Sequence, residues 1–204
     1  MKKLFLLFTA AALCAVVSGA PAGSTRFNPK AVSPRLIEVG SAPHHILARD
    51  GKAQCEIVLP GSANRTVRYA ASELKNFLEQ IIGSKVPVVP APTGSRTAFL
   101  LGAAGARSIN FELSKIDRDG YIIRSAGKNI VLAGTDDPQG HPEKRVMYME
   151  RGTLNGVYEF LERIGGVRFY FPGEMGTVVP RKADWSVGKI NILDRPDNQF
   201  RRTY

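Results

Sequence analysis

Five carboxylates in the second half of the chain, Asp136, Asp137, Glu143, Glu150 and Glu174, are the side chains best suited to acid–base chemistry. Two carboxylates ~5 to 9.5 Å apart across a cleft can cleave a glycosidic bond, one protonating the leaving oxygen and the other acting as base or nucleophile. Asp137 with Glu174 is the pair that a small catalyst would use. Local pattern favours plainer roles. Asp136-Asp137-Pro138 has turn chemistry, and Glu150 stands just before a helical segment, where acidic residues favour the dipole. Glu174 follows a Pro-Gly turn. No catalytic residue is assigned on this pattern.

The remaining candidates are binding residues. Trp185 is the sole Trp, and an exposed indole would stack on the apolar face of a sugar ring, whereas a core indole would not. With Tyr170 and the basic pair Lys144 and Arg145, it forms the set that would contact an anionic glycan. His44 and His45 are adjacent, so on a strand they face opposite sides. With His141 and Cys55 scattered elsewhere, they form no zinc-ligand pattern and read as solvated loop residues. Gly102-Ala103-Ala104-Gly105 follows a strand but lacks the spacing of a dinucleotide fingerprint, the Lys of a P-loop and a convincing helix behind it. It reads as a strand-ending turn. No cofactor or metal site is assigned. Asn64-Arg65-Thr66 is a formal glycosylation sequon explained by its place before a helix.

These residues need elements to hold them. Val67, Ala70, Ala71, Leu74, Phe77, Leu78, Ile81 and Ile82 recur at helical spacing, predicting a first helix capped by Thr66 and ended by Gly83. Leu154, Val157, Tyr158, Leu161 and Ile164 predict a second, capped by Thr153 and ended by Gly165. Strands are expected at Val86 to Val89, Thr97 to Gly102, Val167 to Phe171 and Ile190 to Leu193. Hairpins are expected across Asp50-Gly51, joining residues 46–49 to 55–59, and across residues 126–128. Residues 135–150 read as a long polar loop of the kind that often carries function.

Lys2 and Lys3 followed by the apolar run Leu4 to Val17 read as a secretory signal too short to span a membrane. Cleavage is expected near Ala22 or Ala20, which places the product outside the cell or in the periplasm. Residues 1–22 are then the signal, 23–43 an extended leader, 44–193 a domain and 194–204 a linker. The formal charge of +10 falls to +8 once Lys2 and Lys3 leave. The basic residues are dispersed, without the runs or aromatic signature of a nucleic-acid surface. Only Cys55 remains after cleavage, so stability rests on packing rather than on an intrachain disulfide.

Three segments carry a family resemblance. Residues 70–83, with a double Ala and Glu73-Leu74, resemble the first helix of the N-terminal domain of α-glucuronidases, a domain whose counterpart in β-hexosaminidases has a similar fold. Residues 152–161 resemble its second helix, with a Gly-x-Leu-x-Gly-x-x-x-Phe-Leu pattern. Residues 166–174, followed by Gly176 and Val179-Pro180, are similar to secreted members. The resemblance implies an α/β fold of α+β type, a mixed, largely antiparallel sheet with two helices on one face. It also implies a (β/α)8 catalytic barrel as partner domain, beginning near residues 200–204 where the chain stops, with the catalytic carboxylates on that barrel. The expected function is that of a non-catalytic accessory domain of a carbohydrate-degrading protein. The alternative is a stand-alone carbohydrate-binding module of the cell envelope, with polysaccharide as partner.

Overall fold

The strongest helical periodicity forms the longest helix. A computed structural model of the chain describes residues 36–116, 118–140 and 149–195. In it α1 runs Arg65–Ile82 and buries Val67, Ala70, Ala71, Leu74, Phe77, Leu78, Ile81 and Ile82 along one stripe. Its cap is Asn64, whose Oδ1 accepts from the Val67 amide at 2.8 Å. Thr66, the expected cap, lies inside the helix and is fully buried. Asn reaches the amide three residues on with an oxygen of its own. Gly83 ends the helix at φ 88, its amide bonded to the Glu79 carbonyl.

The strands are β1 (Leu36–Val39), β2 (His45–Arg49), β3 (Lys52–Ala53), β4 (Cys55–Val58), β5 (Val88–Val89), β6 (Thr97–Leu101), β7 (Tyr121–Ala126), β8 (Asn129–Gly134), β9 (Arg168–Phe169), β10 (Thr177–Val178), β11 (Trp185–Val187) and β12 (Ile190–Asp194). Seven make one sheet in the order β1-β12-β7-β8-β6-β4-β5. The β1 to β8 half pairs antiparallel, while β8, β6, β4 and β5 run parallel. β2, β3 and β11 form a small second sheet, and β9 with β10 a hairpin.

Two expectations change here. The Asp50-Gly51 turn, with φ 50 and 68, closes only onto β3. β4 leaves that hairpin for the large sheet, between β6 and β5, where all four of its residues are buried, the mark of a strand covered on both faces. Residues 36–39, read as leader, form edge strand β1 against β12.

Along β8, Ile130 and Leu132 enter one core and Val131 and Ala133 another. This period-two split shows that both faces of the sheet are covered. The larger core holds α1 and α3 (Gly152–Phe160), which continues through a π turn at Leu161–Gly165 to Gly166 at φ 83. The second face is covered by α2 (Gly102–Ser108) with Ile109, Phe111, Leu113 and Ile116. A third helix on the opposite face is thus added to the expected pair, and it grows from the Gly-Ala-Ala-Gly segment read as a turn. Gly102 permits it: φ is +63, and a Cβ there would lie 2.6 Å from the Val67 side chain.

Cys55 is completely buried, and burial pushes its thiol up to about 12. The thiolate is the reactive form, so the folded chain should leave Cys55 unmodified by iodoacetamide at pH 8 and label it fully in denaturant. Peptide mass mapping reads this directly. Rapid labelling of the folded protein would contradict the burial of β4 between β6 and β5.

Candidate functional site

Of the expected sugar-contact residues, Trp185 and Tyr170 are described, and Trp185 lies in the core. Trp185 is 5% exposed, packed beside Phe160 with ring centroids 6.2 Å apart and covered by the Lys182 ammonium 4.8 Å from its ring. Its face is taken up by the core, which removes it from ring stacking. Tyr170 is 71% exposed, on the β9–β10 hairpin. Lys144 and Arg145 lie outside the described residues, as do His141, Glu143 and the signal segment.

His45 is likewise not a solvated residue. It is buried, with Nδ1 donating to the Lys128 carbonyl at 3.0 Å and Nε2 accepting from the Ser125 hydroxyl at 2.6 Å. That hydroxyl in turn accepts from the Ile190 amide. Burial lowers the His45 pKa, in keeping with the neutral ring these partners require. His44 holds the neighbouring Gly127 carbonyl at 2.9 Å. Both histidines clasp the β7–β8 turn. Among the described residues no three His, Cys, Asp or Glu side chains gather as a metal site would need, and no helix is long and apolar enough to cross a membrane.

The carboxylates separate. Asp137 follows β8, near the start of α3, where its amide bonds the Glu150 carbonyl. Glu174 lies on the hairpin whose Phe169 packs edge-on against Phe77 of α1 and Tyr158 of α3. Phe77 is twelve residues past the start of α1, roughly 18 Å along its axis. The helices begin where Asp137 sits, so the two carboxylates belong to opposite ends of the helical layer.

What the fold assembles instead is a cleft of about 470 Å³ at the carboxyl ends of β4, β6 and β8. It opens where the chain leaves β4 for α1 on one face and leaves β6 for α2 on the other. Ligands of open parallel sheets bind at such switch points. One wall is the loop Pro60 to Asn64, braced by Arg68 side-chain bonds to the Ala63 and Gly61 carbonyls. The second is α2 with Ala103, Ala104 and Arg107, and the third is Gly134 to Asp136 with Glu150. The third wall is tied by Gly152 N–H to the Thr135 carbonyl at 2.7 Å.

Asp136, read locally as a turn residue, is instead a helix cap. Its Oδ1 accepts from the Thr153 amide at 3.0 Å and its Oδ2 from the Thr153 hydroxyl at 2.5 Å. The same hydroxyl accepts from the Gly134 amide. Thr153, the expected cap, therefore sits within α3, and a carboxylate from the end of β8 caps the helix for it. Burial raises the Asp136 pKa to about 6, against the lowering effect of the Thr153 hydrogen bonds and with help from Glu150 and Asp119. With both oxygens engaged, Asp136 holds the helix rather than attacking a substrate.

Residues 45–140 match the family model described as the glycosyl hydrolase family 67 N-terminus. Of the three segments that carried the resemblance, residues 70–83 fall inside that match. No match is found among curated proteins. Among solved structures, the crystal structure of a GH20 exo β-N-acetylglucosaminidase from Vibrio harveyi in complex with N-acetylglucosamine matches with a TM-score of 0.43 and 13% identity. The match covers 88% of this chain and 21% of that one, so the chain spans about a fifth of that enzyme's length. The matched stretch runs from β2 past the end of β8 and is similar to the N-terminal domain of family 67 glycosyl hydrolases.

Proposed function

We propose that this chain is a non-catalytic accessory domain of a secreted carbohydrate-degrading protein, whose bond-breaking residues lie on a partner (β/α)8 barrel domain. The observation that carries the reading is the match of residues 45–140 to a family's N-terminal domain. Two features support it. The buried carboxylate in the cleft is committed to capping α3. The β9–β10 hairpin also exposes Phe169, Tyr170, Phe171, Met175 and Val178 within ten residues, Met175 at 92%. Apolar surface this concentrated marks a contact, and the barrel domain is the partner to which we assign it. The binding-module alternative retains only Tyr170 of its described contacts, since Trp185 is in the core.

The purified 204-residue chain should release no sugar from aryl-glycosides or from glucuronoxylan oligomers, measured by chromophore release and by chromatography of the products. Turnover above a heat-denatured control, abolished by Asp137→Asn or Glu174→Gln, would overturn the reading.

A further inference from the structure

The cleft's chemistry extends beyond an accessory role. Its floor is apolar, with Val67, Leu101 and Leu113, and Ala63, Ala103 and Ala104 keep it open. Around this floor stand polar groups that the fold leaves unused. Asn64 spends Oδ1 on the helix cap, which leaves its two amide hydrogens to donate. The Arg107 guanidinium, the Glu150 carboxylate and the Ser62 hydroxyl line the cleft and, among the described residues, make no side-chain hydrogen bond or ion pair. Arg107 and Glu150 face the same space yet form no salt bridge with each other. The Thr135 hydroxyl, on the third wall, is buried without a hydrogen-bond partner.

We propose that this cleft binds a polyhydroxylated ring of about one sugar unit. Every sugar hydroxyl both donates and accepts, so it is served by the amide of Asn64 and Arg107 on one side and the carboxylate of Glu150 on the other. Charge-assisted bonds of this kind are the stronger ones, and the apolar floor matches the C–H face of the ring. A cleft of 300 to 1,000 Å³ with an apolar base and few convergent polar groups is the usual form of a small-molecule site. A plain anion would be met by Glu150 and Asp136, and a cation by Arg107. A neutral or singly charged polyol satisfies both signs at once. The site stands whether or not a barrel adjoins the domain, because all its lining residues belong to this chain.

The test is amide-resolved NMR titration of the full chain with D-glucose, D-xylose and D-glucuronate, with glycine as a non-sugar control. At least one sugar should shift the amides of Asn64, Ala103, Ala104 and Thr135 saturably, with a dissociation constant on the order of 1 mM. Arg107→Ala and Glu150→Gln should each weaken that binding roughly tenfold while leaving the melting temperature unchanged. Four results overturn the proposal: no saturable shift by about 100 mM sugar; equal shifts with glycine; shifts centred on the Tyr170 hairpin; or both variants binding like the parent. Binding without turnover leaves the accessory reading intact, and turnover together with binding in the cleft removes that reading alone.

Discussion

Gly152→Ala is expected to destabilise the domain by about 3 kcal/mol, lowering the melting temperature by roughly 10 °C. Gly152 opens α3 where that helix leans on the end of the sheet. A Cβ there would collide with the Gly120 carbonyl oxygen and lie 2.6 Å from the Thr135 amide nitrogen and 2.8 Å from its carbonyl oxygen. None of these is a flexible side-chain tip. All are backbone atoms, of Gly120 just before β7 and Thr135 just after β8, so relief requires α3 to move. Displacing its first turn breaks the Gly152 bond to Thr135 and the Thr153 bonds to Asp136. It also loosens Leu154, Val157 and Phe160, the last packed edge-on against Phe99 at 5.2 Å.

Gly127→Ala is the informative control. Gly127 sits at φ +59 with open space around it, so its substitution should cost only the left-handed penalty of about 1 kcal/mol. Urea denaturation of both variants separates collision from conformational strain. Equal, small effects would mean that the junction of β8 and α3 is looser than described.

The parts of the fold that were legible share one property: their partners announce themselves within a short window. The stripe of α1 and the β7–β8 hairpin needed no distant information. α2 was hidden because its sequence, with Gly at positions 102 and 105, argues against helix. It forms because Gly105 can lie directly against the Leu100 backbone and because Ala106 helps cover the second face of the sheet. β1 was hidden because its partner, β12, is some 150 residues away and three of its four residues are exposed.

The cleft was hidden for a different reason. Asn64, Arg107, Asp136 and Glu150 come from separate segments with no motif in common. Only the parallel pairing of β4, β6 and β8 puts their carboxyl ends side by side. A sign of it was present in sequence: buried strands that each run into small or polar residues, Pro60 to Asn64, Gly102 to Ala104 and Gly134 to Asp136. Asp136 was misjudged because a cap is sought next to its helix, whereas this one is seventeen residues upstream of Thr153.

That distant cap makes stability depend on pH in an unusual direction. Burial holds the Asp136 carboxyl at about 6, while an unfolded chain would titrate it near ~3.9. Between those values the folded state keeps a proton that the unfolded state has released. The contribution is therefore fully present below about 4 and is lost as pH rises through about 6, amounting to roughly 3 kcal/mol. Asp136→Asn removes the titration and keeps an acceptor oxygen for the Thr153 amide. The parent should gain on this variant by roughly 3 kcal/mol between pH 7 and pH 4, with the variant matching or exceeding the parent at pH 7. Burial lowers the pKa of His45, so His45 works in the opposite sense. Its stabilisation is present above the unfolded value near ~6.5 and falls away at lower pH. It is common to both proteins and cancels in the difference. Denaturant midpoints for the two proteins across this range, together with carboxyl ¹³C titration of Asp136, measure the effect directly. A parent–variant difference that stays flat with pH would show that the Thr153 hydrogen bonds outweigh burial and that the carboxylate is charged throughout.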